Sequence, residues 1–239
     1  MRAILVSVDY WDLLKLTLPY NRHHFTDVMI VTSLKDEKTK EVAKKYDAQV
    51  HETNSFYENG ATFNKWKALE EGLDKFGRHG ILCIMDADIV WPYKIPPEEY
   101  QFGKIYTPNR LICPDLIQSV PEELCWGKRY RTFRDGEWAG YSQIFHAEDP
   151  VLPKPPWHSI NWKHAGGADS DFQKLWTPVN KTRPSWKVLH IGLPGKNWCG
   201  RATPFLDGSA PLEARSRKNQ LSNLMTKRKQ TKSFKEELL

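Results

Sequence analysis

Apolar residues in the first ninety positions come in short runs separated by stretches of helical period. Residues 3–8 (AILVSV) form one run, ending on Asp9, and residues 28–32 (VMIVT) form a second. Both are too short for helices and predict buried strands. Ser33-Leu34-Lys35-Asp36 follows, with Ser33 and Asp36 three apart, so this turn can cap the lysine-rich helix that runs towards Tyr46. Residues 48–51 read as a short third strand. Phe63, Trp66, Leu69, Leu73 and Phe76 then recur at steps of three and four. That spacing predicts a helix with one continuous apolar stripe, ended by Gly77. Residues 81–85 (ILCIM), fed by His79-Gly80, are a fourth buried strand. Strand and helix alternating in this order predict an α/β fold, a mostly parallel sheet flanked by helices.

The pattern then changes. Five prolines between Trp91 and Pro121 predict loops and short strands. Residues 140–145 alternate well enough for a later, partly exposed strand. Residues 168–176 predict a helix with Asp169 in its first turn, where the dipole favours a carboxylate. Residues 186–191 are a final strand, followed by a Gly/Pro loop to Arg201. No internal repeat is visible. With 239 residues, 40% hydrophobic and 27% charged, the chain can bury one core. No apolar run approaches the ~18–20 residues of a membrane span. The opening MRAILVSVDYWD lacks a cleavage-site pattern and reads as a strand rather than a signal peptide. Four cysteines (Cys83, Cys113, Cys125, Cys199) without a CxxC or zinc spacing point to reduced thiols in an intracellular, cytoplasmic, soluble protein.

Charge is unevenly spread. Of the net +6, residues 213–239 carry +5, from eight Lys/Arg against three Glu. The body, residues 1–211, is therefore close to neutral, and residues 212–239 form a basic tail, helical or flexible. Such a tail is either a solvated end or an attractor of polyanions, nucleic acid or an anionic membrane surface.

The candidate chemistry starts at Asp86-Ala87-Asp88, directly after the buried strand 81–85. A strand in that position delivers both carboxylates to the carboxyl edge of the sheet, where ligands of open α/β folds bind. Two like charges so close are unfavourable unless something positive sits between them. A divalent cation carrying phosphates meets that need, because carboxylate oxygens suit Mg²⁺ and Mn²⁺.

In order of elements, and in the segments DADIVWP, GGADSDF and LHIGLPGKNWCGR, the chain resembles metal-dependent nucleotide-sugar glycosyltransferases of the A-type, single Rossmann-like fold. The resemblance runs from about Ala3 to Arg201. It implies a nucleotide-binding half over residues 1–92 and an acceptor half over 93–211. It also implies a UDP-linked sugar as donor and a metal held by Asp88 directly, by His190, and by Asp86, which touches the ribose or reaches the metal through water. An imidazole beside carboxylates favours Mn²⁺ over Mg²⁺. Asp169 falls where inverting members carry a catalytic carboxylate, in a Gly-Gly-Glu-Asp element whose Glu is here Ala168. A carboxylate in hydrogen-bond reach of the acceptor hydroxyl takes its proton, and Asp171 is the alternative base. Ser7, Asp9, Tyr10 and Asp36 would meet the nucleoside, and Asn64 and Lys65 the ribose or phosphate. Lys196 and Arg201 would neutralise the leaving diphosphate. Among the ten tryptophans, Trp66 and Trp186 read as core, whereas Trp91, Trp138, Trp157, Trp162 and Trp198 lie in loops beside the proposed site. Blander roles stand beside these: Asp169 as a helix cap, His190 as a half-buried strand end, Lys65 as a solvated helix residue.

The acceptor is open. A basic tail and loop tryptophans suit a hydroxymethylated pyrimidine in DNA, extruded from the stack, and similar small DNA-decorating enzymes are encoded by bacteriophages. A peripheral-membrane glycan or glycolipid transferase is a second reading. A haloacid-dehalogenase-type phosphatase with Asp86 as nucleophile is a third, and a non-catalytic nucleic-acid-binding protein a fourth. A nucleotidyltransferase would need a Gly-rich, Arg-containing loop after the first strand, where this chain has SVDYWD.

Overall fold

In the computed structural model, which describes residues 1–93, 95, 98–133, 140–193, 196, 197, 201 and 203–209, the chain begins with seven alternating elements. These are β1 (Arg2–Val6), α1 (Trp11–Asn21), β2 (Asp27–Thr32), α2 (Glu37–Lys45), β3 (Gln49–Glu52), α3 (Lys65–Phe76) and β4 (Ile81–Asp86). The strands lie parallel in the order β4-β1-β2-β3. Alternate residues of β1 serve opposite faces, as the pleat requires. Ala3 and Leu5 pack with Leu14 and Leu18 of α1, while Ile4 packs with Trp66, Leu69 and Leu73 of α3. The apolar stripe expected on residues 63–76 is thus the buried face of α3. The helix before β2 carries no comparable stripe; it buries Asp12, Thr17 and Asn21 among its leucines.

The helix starts differ in detail from the sequence pattern. Asp36 rather than Ser33 caps α2, its Oδ1 accepting from Thr39 N at 3.1 Å. Asn64 caps α3, accepting from Lys67 N at 3.0 Å. Gly77, at φ 86°, ends α3 in a conformation that side chains other than glycine rarely adopt.

Beyond β4 come β5 (Ile89–Val90), β6 (Ile105–Tyr106), β7 (Asn109–Cys113), α4 (Glu123–Arg129), β8 (Arg131–Phe133), β9 (Ser142–His146), α5 (Ala168–Gln173), β10 (Lys181–Thr182) and β11 (Lys187–Ile191). The main sheet has seven strands, β10-β6-β9-β4-β1-β2-β3, with β9 antiparallel to both neighbours. The strand expected to be partly exposed is instead central. Residues 142–145 are buried because β9 lies between β4 and β6. Among the described residues a second sheet has four strands, β5-β11-β7-β8. In that sheet His190 is in register with Ile89, the neighbour of Asp88.

Two loop tryptophans also prove to be core. Trp91 is buried against Phe25 and Trp186, ring centroids 4.9 Å away in each case. Trp157 is buried on Phe145, under the Arg78 guanidinium. Both close gaps between layers, where a large flat ring covers the most apolar area. Trp162 is half-buried beside Gly167, while Trp138, Trp198, Cys199 and the tail 212–239 lie outside the described residues. Among the described residues no helix is long and apolar enough to cross a membrane.

The approach of α3 to the sheet is set by Gly72. A Cβ there would lie 2.5 Å from Val31 Cγ2 and 3.1 Å from Ile4 Cδ1. Gly72→Ala gains about 1 kcal/mol of helix propensity but overpacks the interface at a cost of ~1–3 kcal/mol. Urea denaturation is expected to show net destabilisation. A raised midpoint would refute the close approach.

Candidate active site

The in-register ends of β1, β2 and β4 place Val6, Val31 and Asp86 along one edge of the sheet. The segment after β4 is held there through its backbone by α1. Thr17 Oγ1 donates to Ala87 O at 2.7 Å, Asn21 Nδ2 donates to Ile89 O at 2.7 Å, and Trp91 N donates to Asn21 Oδ1 at 2.9 Å. The buried polar residues of α1 thus satisfy a loop that would otherwise bury unpaired peptide groups. After β1 the chain turns through Asp9, whose φ of 60° is unusual for a non-glycine residue. Its N–H donates to Asp36 Oδ2 at 2.8 Å, so Asp36 ties this turn to the start of α2.

A cavity of about 260 Å³ opens at this edge. Asp86, Asp88, Lys65, Asp169, His190 and Tyr10 all line it. The acid pair is not left to repel. Lys65 Nζ meets Asp86 Oδ1 at 2.5 Å, supplying from α3 a positive charge that the sequence pattern had assigned to a metal. Burial works against the Lys65 charge. The Asp86 charge and hydrogen bond, with Asp169 and Asp88 adding to them, outweigh that and hold the ammonium above its ordinary value. Burial pushes the Asp86 carboxyl upwards against the pull of Lys65, and the Asp88 charge pushes the same way. Asp88 is 5% exposed. Asn197 Nδ2 donates to its Oδ2 at 2.9 Å, while its Oδ1 faces His190 Nε2 at 3.4 Å. Burial, helped by Arg110, holds the His190 imidazole below its ordinary value despite Asp88.

Asp169 reaches the cavity because Gly140 leaves it room. A Cβ on Gly140 would overlap its carboxylate, and Gly167, at φ 105°, makes the turn into α5 beside Trp162. Asp171 does not share the cavity; it pairs with Lys174 at 2.8 Å on the exposed side of the same helix. Ser7 is buried beneath the edge, and Asn64 spends its side chain on the α3 cap and on Ile160 O. Lys196 donates to Asp115 Oδ1 at 3.0 Å and to Pro114 O at 2.8 Å. Arg201, expected beside the diphosphate, is instead buried in a two-pronged ion pair with Asp12, at 2.8 and 2.6 Å. The buried carboxylate of α1 is a stronger claim on a guanidinium than an open cavity.

Three polar residues on the cavity wall lie outside the expected set: Arg110, Tyr141 and Asn197. Arg110 lies 4.7 Å from the Tyr141 ring centroid and donates to His190 Nδ1 at 2.9 Å. Its only sequence signal is its place beside Pro108 in a short strand; Asn197 has none beyond the Gly/Pro loop that contains it.

The donor set fits a divalent cation at the acid pair. Asp88 Oδ1 is a buried carboxylate oxygen that faces an imidazole rather than a fixed cation. Its 3.4 Å distance from His190 Nε2 is close to the ~3 Å between adjacent ligands that are each about 2.1 Å from one ion. Among the described residues no three His, Cys, Asp or Glu side chains form a ready-made ligand cluster, so phosphate oxygens and water would complete the shell. Arg110 constrains the third donor. An arginine only donates, so His190 Nδ1 accepts and the ring hydrogen sits on Nε2. His190 becomes a ligand only when that contact is given up.

No known protein family matches the sequence, and no curated protein matches it. Solved structures do share part of its course. Galactosyltransferase LgtC, in complex with donor and acceptor sugar analogues, is similar at 12% identity and TM-score 0.47, over 83% of this chain and 89% of that one. Glucosyl-3-phosphoglycerate synthase from Mycobacterium tuberculosis, in complex with Mn²⁺, UDP and phosphoglyceric acid, is similar at 14% identity and TM-score 0.31. The match covers 46% of this chain and 42% of that one, so the chain spans less than half of that protein's length. The inositol-1-phosphate CTP transferase from T. maritima is similar at 10% identity and TM-score 0.44, over 81% and 90%. A likeness at this level does not by itself carry an activity to this chain.

The Asp12–Arg201 pair has a separable role. Arg201→Met leaves a buried carboxylate unpaired and is expected to cost about 3–5 kcal/mol of stability. Nucleotide affinity, measured by titration calorimetry well below the unfolding transition, should change less than twofold. A large loss of affinity at near-normal stability would return Arg201 to the diphosphate.

Proposed function

We propose that the protein is a metal-dependent glycosyltransferase that moves a sugar from a nucleoside-diphosphate sugar, UDP-linked, to an acceptor hydroxyl with inversion. The observation that carries this reading is the convergence of Asp86, Asp88, Lys65 and Asp169 on one cavity at the carboxyl edge of the sheet. Asp88 and Asp86 would hold the cation, Mn²⁺ or Mg²⁺, with His190 as the third donor. When bound, the cation neutralises the diphosphate as the glycosidic bond to it breaks. Lys65, protonated on the cavity wall, adds positive charge against the same leaving group. Tyr10 forms the nucleoside side, supported by the Asp9 turn and Asp36 at the ends of β1 and β2, with Ser7 buried beneath them. Lys196 belongs to the loop that carries Asn197 and serves the diphosphate once it releases Asp115. Asp169 accepts the acceptor's proton as the acceptor oxygen attacks the anomeric carbon; the bonding pair leaves with the diphosphate. A single displacement of this kind inverts the anomeric configuration.

For the acceptor we propose a polyanion, specifically a hydroxymethylated pyrimidine in DNA. The +5 charge of residues 213–239 supports it.

Asp88→Asn is expected to abolish transfer and metal-dependent nucleotide binding together, with the fold intact by circular dichroism. Asp169→Asn should keep nucleotide affinity and lose at least 10²-fold in kcat. NMR of the product linkage should show inversion. Wild-type transfer by Asp88→Asn, or retention of configuration, would contradict the mechanism.

The acceptor is tested separately, by mobility shift of a hydroxymethylpyrimidine duplex across a salt series. Binding should weaken steeply with salt, and removal of residues 213–239 should flatten the slope because fewer counterions are released. No DNA binding by the full chain at low salt would end the DNA reading without touching the transferase one.

A further inference from the structure

Asp86 and Asp88 are neighbours in sequence but differ in what they bond to. Asp86 is paired with a cation, Lys65. Asp88 receives its nearest hydrogen bond from a neutral amide, Asn197, which is 1% exposed. All three functional directions of that amide are used. Nδ2 has two hydrogens and two acceptors, Asp88 Oδ2 and Ile191 O, both at 2.9 Å. Oδ1 accepts from Leu193 N at 3.2 Å. A flipped amide would set its oxygen against a carboxylate, so only one orientation is satisfactory. The backbone carbonyl of the same residue accepts a hydrogen bond from the Tyr10 hydroxyl. Room for this arrangement exists only because residue 192 is glycine. At φ 94° it makes the turn after β11, and a Cβ there would overlap Asn197 Oδ1.

Resting on the transferase reading above, we infer that Asn197 is a positioning residue that aims one oxygen of Asp88 at the metal position and ties that aim to Tyr10 on the nucleoside side. A carboxylate held through Oδ2 no longer rotates freely. Its Oδ1 is then presented to the cavity, buried and facing His190 Nε2 at 3.4 Å. A neutral amide does this without cancelling the charge, whereas a lysine or arginine in its place would compete with the cation. Outer-shell hydrogen bonds of this kind set metal affinity by ~10–100-fold. Because the Asn197 backbone also receives the Tyr10 hydroxyl, a shift of Tyr10 reaches Asp88 through a single residue.

The test uses the full-length protein and Mn²⁺ alone, with no nucleotide. Free ion is counted by electron paramagnetic resonance, and Tm is measured in parallel. Wild type should bind Mn²⁺ and Asp88→Asn should not. Asn197→Ala, measured well below its own lowered Tm, should bind it ~10–100-fold more weakly. Tyr10→Phe, which removes one hydroxyl, should show a smaller loss, and the double variant should fall short of the product of the two, as coupled residues do. If Asp88→Asn loses Mn²⁺ but Asn197→Ala binds like wild type, the positioning role is overturned and the transferase reading stands. If wild type binds no Mn²⁺, or Asp88→Asn binds it equally well, the metal reading fails and takes this inference with it. Should Asn197→Ala not fold, Tyr10→Phe decides: unchanged Mn²⁺ affinity overturns the coupling.

Discussion

Two carboxylates two positions apart at a buried strand end are the constraint around which this molecule is arranged. Unit charges ~5 Å apart at an effective dielectric of ~20 repel by about 3 kcal/mol. That is a sizeable part of the roughly 5–15 kcal/mol by which a domain is stable. The fold meets the cost from both sides. From one layer α3 brings Lys65 onto Asp86, and from the second sheet β11 and its following loop bring His190 and Asn197 onto Asp88. Asp88 is met by a neutral amide and an imidazole rather than by a fixed positive charge, so the repulsion is reduced rather than abolished. A site left in that condition is matched to a ligand that carries positive charge.

The supporting elements follow from this. Lys65 is the first residue of α3, so its position depends on the Asn64 cap and on how closely Gly72 lets the helix approach β1 and β2. His190 lies beside Ile89 because β11 pairs antiparallel with the two-residue strand β5. That pairing places a residue from late in the chain next to a motif more than a hundred residues earlier. α1 contributes few polar contacts to the cavity itself. Its Thr17 and Asn21 instead hold the backbone of the acidic loop, and its Asp12 anchors Arg201.

The same logic separates residues that face the cavity from those engaged elsewhere. Asp169 and Asp171 are two apart on one short helix, so they point in different directions: one to the cavity, the other to Lys174. Lys196 and Arg201 belong to the segment after β11, where positive charge was expected to gather at the diphosphate. Each has found a carboxylate first, Asp115 and Asp12. Attraction between opposite charges is not selective by itself. Distance and burial choose the partner.

Periodicity along the chain was sufficient for the parallel core. Four short apolar runs and one stripe at steps of three and four identify β1–β4 and α3, because burying apolar surface dictates those spacings locally. The position of Asp86 and Asp88 at the carboxyl edge was legible for the same reason, since a strand's last residue has only one place to be. What lies far apart in sequence was not legible. Nothing within thirty residues of Asp88 marks Asn197 as its neighbour, His190 was placed beside it only through the family resemblance, and nothing near Asp86 marks Lys65 as its counter-charge. The central, buried place of β9, the core roles of Trp91 and Trp157, and the Asp12–Arg201 pair likewise exist only once the layers have packed. Hydrophobic pattern is a property of neighbours along the chain, whereas charge pairing and hydrogen-bond satisfaction are properties of neighbours in space.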